Sequence, residues 1–276
     1  MATSLRLDEI TSSYEHRDRI YMYKWDNRTY IWAGYGYADD INIEGTDSND
    51  NLELDLPYGQ RVYIEAGGGD DTFKIYGDGS TRLYGGSGND HVTVEYSSQK
   101  QYLFGDGGND TLISANGDDV LIGGEGHDYI VGGGGNDFIG GGSGADWLQG
   151  DSGDDYLIGG EGNDYLGGGD GADTLIGGAG HDWLIGGSGN DTFDQRNQRG
   201  SGNYTSIVDF SFAEGDKIRV NADSLHGIPF NGSPQVTNYQ PGNSVLAVRV
   251  TTEDNSFLVW GFDTNTFNSE AAFEIM

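Results

Sequence analysis

Cysteine is missing altogether from the 276 residues, which excludes disulfide staples, thiol nucleophiles and thiolate metal ligands. Basic residues are scarce: 14 Lys and Arg against 45 Asp and Glu leave a formal charge of −31. So acidic a chain repels phosphate backbones and anionic lipid, which argues against nucleic acid and membrane surfaces as partners. No apolar run approaches the roughly 20 residues of a membrane span, so no membrane span is expected. The opening MATSLRLDEITSS lacks the apolar core of a signal peptide. The protein therefore either stays inside or leaves by a route that reads a different signal. Catalytic equipment is missing too. There is no H-E-x-x-H zinc motif, no G-x-S-x-G elbow and no paired His and Ser context. With only residues 1–44 ahead of the first repeat, too few for a catalytic domain, the expectation is that this chain is not an enzyme. Apolar residues make up 35% of the chain beside 49 glycines, a composition that ordinarily means disorder.

What is present instead is a nine-residue unit repeated ten times over residues 105–194 without a slip. The units read GDGGNDTLI, SANGDDVLI, GGEGHDYIV, GGGGNDFIG, GGSGADWLQ, GDSGDDYLI, GGEGNDYLG, GGDGADTLI, GGAGHDWLI and GGSGNDTFD. The fourth position is always glycine, from Gly108 to Gly189. The sixth is always aspartate: Asp110, Asp119, Asp128, Asp137, Asp146, Asp155, Asp164, Asp173, Asp182 and Asp191. The eighth is always large and apolar, from Leu112 to Phe193. Six residues rich in Gly, Asn and Asp make a tight turn with positive φ angles. The remaining x-apolar-x is a short strand with one inward side chain. Strands so short bury nothing alone, so the units must stack into a solenoid. Two units per coil give an 18-residue turn, two parallel sheets and a core one side chain thick. The aspartates then line up at the strand spacing of roughly 4.8 Å. Bare carboxylates that close repel. A cation between successive turns relieves the repulsion, and a hard cage of carboxylate and carbonyl oxygens suits Ca2+. Such a chain is disordered without its metal and folds as calcium loads.

The units match G-G-x-G-x-D-x-U-x and resemble the repeats-in-toxin (RTX) hemolysin-type family. The resemblance implies an all-β fold, a parallel β-roll or calcium-stapled β-solenoid, with antiparallel β caps expected at both ends. It also implies Ca2+ held between the turn of one unit and the turn two units on, by the ten aspartates and the preceding turn carbonyls. In the second unit Ser114 and Ala115 replace the glycine pair, so a site there departs from the pattern. Residues 45–104 carry the repeat in decayed form: Asp71 and Asp90 are expected ligands and Asp50 a weaker one. Thr81 and Gln101 stand where aspartate belongs, with spacings of ten and eleven.

The flanks read differently. Within residues 1–44, RIYMYKWDNRTYIWAGYG (Arg19–Gly36) reads as an aromatic hairpin, a lid over the first coil or else a glycan-binding face. Residues 195–276 form a C-terminal β cap after a polar linker, Arg196–Asn203. There Ile207–Ser211 and Gly215–Val220 resemble the segment that follows the repeats in secreted RTX metalloproteases. Ser244–Thr251 and Ser256–Phe262 alternate as an antiparallel pair. The end, Phe273-Glu274-Ile275-Met276, resembles an uncleaved type I secretion signal. In the regular run the seventh position points outward. One sheet then presents Thr111, Tyr129, Trp147, Tyr165 and Trp183, the other Val120, Phe138, Tyr156, Thr174 and Thr192. Tyr129, Trp147, Tyr165 and Trp183 are candidate surface-binding aromatics, or simply a stack that stiffens its sheet. Ile122, Ile158 and Ile176 suggest that something covers the second face. The histidines read as turn residues rather than transition-metal ligands. Two functions follow: a secreted calcium-binding protein that folds outside the cell after the type I secretion apparatus exports it, or an adhesin for polysaccharide or a cell surface.

Overall fold

Alternation along each strand decides this architecture. A computed structural model describes residues 40–195, 205–211 and 214–219 with their side chains, and Tyr204 and Val220 as backbone. Of the flanking segments it describes the backbone of the strands Thr3–Arg6, Glu15–Arg17, Ile20–Trp25, Arg28–Ala33, Leu246–Thr251, Ser256–Phe262 and Phe273–Ile275. In the regular run most strands are six residues long, as in Val120–Glu125 and Phe138–Ser143, rather than the three the sequence suggests. Each begins at position seven and continues through the first three positions of the next unit, which leaves positions four to six as the turn. The extension has a simple cause. Position eight faces inward and so, two residues later, does the first glycine of the next unit, and the Gly-Gly-x backbone keeps its pairing: Gly124 with Gly142 and Glu125 with Ser143. The fourth position is always glycine and the second mostly so, with Asp106 and Asp151 the non-glycine residues that take a positive φ there. Gly124 and Gly126 have φ of 122° and 121°, and a Cβ there would stand 2.0 and 1.8 Å from the carbonyl oxygens of Asp106 and Gly108, one coil back.

Successive strands alternate between two parallel sheets, and each pairs with the strand one coil on. The rows run Leu112, Ile130, Leu148, Leu166, Leu184 in one sheet and Leu121, Ile139, Leu157, Leu175, Phe193 in the other. All are fully buried. The decayed coils join the same rows: Leu52 pairs with Phe73, Phe73 with Val92 and Val92 with Leu112, so their insertions are absorbed in the turns. The rows also pass Phe193, because Leu184 pairs with Ile207 and Phe193 with Ile218, both in parallel. Gly215–Val220 thus holds the rung Lys217–Val220, whereas the other rung lies at Tyr204–Ile207 and takes in only the first residue of Ile207–Ser211.

At the N-terminal side Arg28–Ala33 lies parallel to Asn51–Leu56 and antiparallel to Ile20–Trp25, the hairpin expected from sequence. At the C-terminal side Leu246–Thr251 pairs antiparallel with Ser256–Phe262. The side chains of Tyr21, Tyr23, Trp25, Tyr30 and Trp32, the linker 196–203, the side chain of His16, and His226 lie outside the described residues, as does Met276. No helix among the described residues is long and apolar enough to cross a membrane.

Position seven faces outward as read, with Tyr129, Trp147 and Trp183 exposed and Tyr165 half-buried. Tyr129 and Trp147 have ring centroids 6.1 Å apart, and Trp147 and Tyr165 4.5 Å. On the other sheet Phe138 stacks on Tyr156 at 5.6 Å. Thr192 differs from the outward expectation: it is buried, between Thr174 and Lys217 in its row. Ile122, Ile158 and Ile176 are half-buried on the same face.

Candidate metal centre

Each sixth-position aspartate is held at the end of a turn by its neighbours along the stack. Its Oδ1 accepts the backbone N–H of the corresponding residue one coil earlier. Along one edge Asp50, Asp71, Asp90, Asp110, Asp128, Asp146 and Asp164 donate in turn to Asp71, Asp90, Asp110, Asp128, Asp146, Asp164 and Asp182, at 2.7–3.2 Å. Along the other, Gln101, Asp119, Asp137, Asp155 and Asp173 donate to Asp119, Asp137, Asp155, Asp173 and Asp191, at 2.7–3.0 Å. Position five runs a second course in the opposite sense. There Asn109 Oδ1 accepts the N–H of His127, and His127 Nδ1 accepts the N–H of Ala145. His127 therefore does the work of an asparagine, which supports the turn-residue reading.

The second carboxylate oxygen has no such partner. Oδ2 of Asp71, Asp90, Asp110, Asp128, Asp137, Asp146, Asp155, Asp164, Asp173, Asp182 and Asp191 is buried without a hydrogen bond. A buried carboxylate oxygen left unpaired costs several kcal/mol, and here the arrangement recurs eleven times. Each of these oxygens in the regular run overlies the first glycine of its own turn. A Cβ on Gly123 would stand 2.0 Å from Asp128 Oδ2 and 2.7 Å from the Gly141 carbonyl oxygen. At Gly150 the values are 2.2 Å to Asp155 Oδ2 and 2.6 Å to the Gly168 carbonyl. The glycine thus keeps open an oxygen-lined cradle, carboxylate on one side and turn carbonyl on the other. Among the described residues no three His, Cys, Asp or Glu side chains converge. The donor set is one of scattered carboxylates completed by backbone oxygens, which fits a hard cation of high coordination number.

Electrostatics agree. Burial pushes the carboxyls of Asp71, Asp128, Asp137, Asp155, Asp164 and Asp191 up to about 7, against the downward pull of the accepted N–H bond and with added repulsion from neighbouring aspartates. Asp90, Asp173 and Asp182 rise to about 6, again mainly by burial. Asp110 and Asp146 move in the same direction for the same reason.

Two of the aspartates read from sequence do not share this geometry. Asp119 is buried, but its Oδ2 accepts the Ser114 hydroxyl. Asp50 is half-buried, and its Oδ2 accepts both the N–H and the hydroxyl of Thr46. Two residues escaped the sequence reading. Asp216 Oδ1 accepts the Asp191 N–H and its Oδ2 the Ser211 N–H, which closes one ladder. Asp209 receives the N–H groups of Gly186 and Gly187. A signal for Asp216 existed: Asp216-Lys217-Ile218 keeps the Asp-x-apolar offset of the repeat.

The model of the RTX calcium-binding nonapeptide repeat matches in four copies, at residues 75–94, 104–139, 140–175 and 167–194. Curated proteins give no match. Among solved structures, the extracellular lipase LipA from Serratia marcescens aligns over 88% of this chain and 42% of its own at 15% identity, with a TM-score of 0.20. The chain spans less than half the length of that lipase, and a likeness this distant carries no activity across. The sequence repeat, the parallel coils and the family match agree: this chain carries the calcium-binding nonapeptide repeats of the RTX hemolysin-type family, wound into a β-solenoid.

Proposed function

We propose that this is a secreted protein that folds outside the cell as it binds several Ca2+, and that its role there is structural. The observation that supports the reading is the set of eleven buried Oδ2 atoms without a hydrogen-bond partner, each in the regular run above a glycine cradle. Asp71, Asp90, Asp110, Asp128, Asp137, Asp146, Asp155, Asp164, Asp173, Asp182 and Asp191 are its ligands, with turn carbonyls. Bound calcium supplies positive charge between the rungs. The chain's own residues do the rest: N–H groups fix Oδ1, glycines leave the space, and the apolar rows hold successive turns in register. Extracellular calcium modules work at roughly 10⁻⁴–10⁻³ M, so a chain tuned to that range stays open in the cytosol and closes after export. Type I secretion suits such a chain, and the antiparallel strands at both ends serve as caps.

Circular dichroism during a calcium titration tests this. In chelator most of the β signal should be absent, and it should appear cooperatively near millimolar calcium. Equal β content in both conditions would sink the proposal. A second reading is favoured by the tilted contacts of Tyr129, Trp147 and Tyr165 on an exposed face: an adhesin whose aromatic row stacks on sugar rings.

A further inference from the structure

The two edges of the solenoid are built from different chemistry over their N-terminal halves. Before the turns of one edge, the inward first position holds Ala66, Gly85, Gly105 and Gly123, and the turns carry Asp71, Asp90, Asp110 and Asp128. Before the turns of the other edge the same inward row reads Leu54, Ile75, Val94, Ser114 and then Gly132. Leu54, Ile75 and Val94 are buried, and they fill with hydrocarbon the space that glycine leaves to a carboxylate elsewhere. The residues at the ladder position change in step: Thr81, Gln101, Asp119, Asp137.

Gln101 stands in place of an aspartate and Ser114 in place of a glycine, and each brings a hydrogen-bond donor that the residue it replaces lacks. The Gln101 side-chain oxygen accepts the Thr81 N–H at 2.8 Å, as an aspartate Oδ1 does on the other rungs. Its amide nitrogen donates to the carbonyl oxygens of Gly79 and Gln99 and to Ser97 Oγ. Those are turn oxygens of two successive coils, gathered around N–H donors. One coil on, Ser114 stands at the first position, and its hydroxyl reaches Asp119 Oδ2, the one regular-run carboxylate oxygen of this kind that is not left bare.

From this we infer that the edge running through Thr81, Gln101 and Asp119 is closed by its own side chains and takes no cation, and that the residue at the inward first position decides this rung by rung. The inference rests on the calcium reading above. Cation sites then run along the whole of one edge, at Asp71, Asp90, Asp110, Asp128, Asp146, Asp164 and Asp182. On the other edge they begin only at Asp137.

Two reciprocal substitutions test it without changing the charge of the chain. Ser114→Gly opens the cradle beneath Asp119 and should raise bound calcium by one ion per chain. Gly132→Ser places a hydroxyl beneath Asp137, where a Cβ would lie 2.2 Å from Oδ2, and should lower it by one. Bound calcium is counted by equilibrium dialysis of the full chain against radioactive Ca2+, with circular dichroism in calcium as the check on folding. A folded Ser114→Gly chain that binds the wild-type number overturns the inference. If that variant does not fold, the Gly132→Ser count decides in the same way. A wild-type chain that binds no calcium fails differently, because it removes the calcium reading itself.

Discussion

At the scale of single residues, the informative position is the first glycine of each turn rather than the aspartate. The sixth-position carboxylate is recognisable in sequence because it never varies. The reason for the first glycine is invisible there, since its neighbour in space is the aspartate five residues later, folded back over it. Geometry separates this glycine from Gly107, at the third position of its unit. A Cβ on Gly123 would meet Asp128 Oδ2 at 2.0 Å, whereas one on Gly107 would meet nothing nearer than 3.6 Å. Gly123→Ala should therefore destabilise the calcium-bound chain by about 1–3 kcal/mol. Gly107→Ala should stay within about 0.5 kcal/mol. Urea melts of both variants in calcium provide the comparison, and equal midpoints would contradict the cradle. Ser114 illustrates the limit of legibility at this scale. Sequence marks it as a departure from the repeat, but only its hydroxyl contact with Asp119 gives the departure a chemical meaning.

At the scale of the strand, most rungs of the regular run have one inward apolar residue with outward neighbours on both sides, and these should respond in opposite ways. Leu148 is fully buried, while Trp147 beside it is among the exposed aromatics. Leu148→Ala should cost about 2–5 kcal/mol, the range for a large-to-small change in a packed core. Replacing Trp147 and Trp183 together by alanine should leave calcium-dependent folding nearly unchanged. On a glycan array the same double variant should lose any signal the wild type gives, and retained binding would remove the adhesin reading. The inward-outward alternation was legible because period two survives in x-apolar-x. The length of the strand was not, because a Gly-Gly pair reads as turn. In the folded chain those glycines stay extended enough to hydrogen-bond to the coils on either side.

At the scale of the whole molecule, the ladders tie stability to pH. Buried carboxyls at about 6 to 7 lie above the value near 3.9 of an unfolded aspartate. A metal-free solenoid therefore binds protons more tightly than the unfolded chain. Its stability is greatest below the unfolded value and is lost as pH rises through 6 to 7. In chelator, lowering the pH from 7.5 to 5 should increase β structure by circular dichroism, and a loss of β signal would contradict the burial of these groups. With calcium present the sign reverses: protons compete for the same oxygens, so the calcium midpoint should move to higher concentration between pH 7.5 and 6. The repeat made the regular solenoid readable from end to end. Its continuation to Ile207 and Ile218 was obscured because the spacing lengthens where the glycines stop.

The coil also fixes how much contour length the chain takes in. Eighteen residues drawn straight reach roughly 60 Å, while one finished coil advances the stack by only about 4.8 Å. Every coil that closes reels in some 55 Å of slack, and every coil that opens returns it. An end tethered elsewhere and pulled taut would be hauled inward by that step each time, so winding does mechanical work along the axis as well as burying side chains.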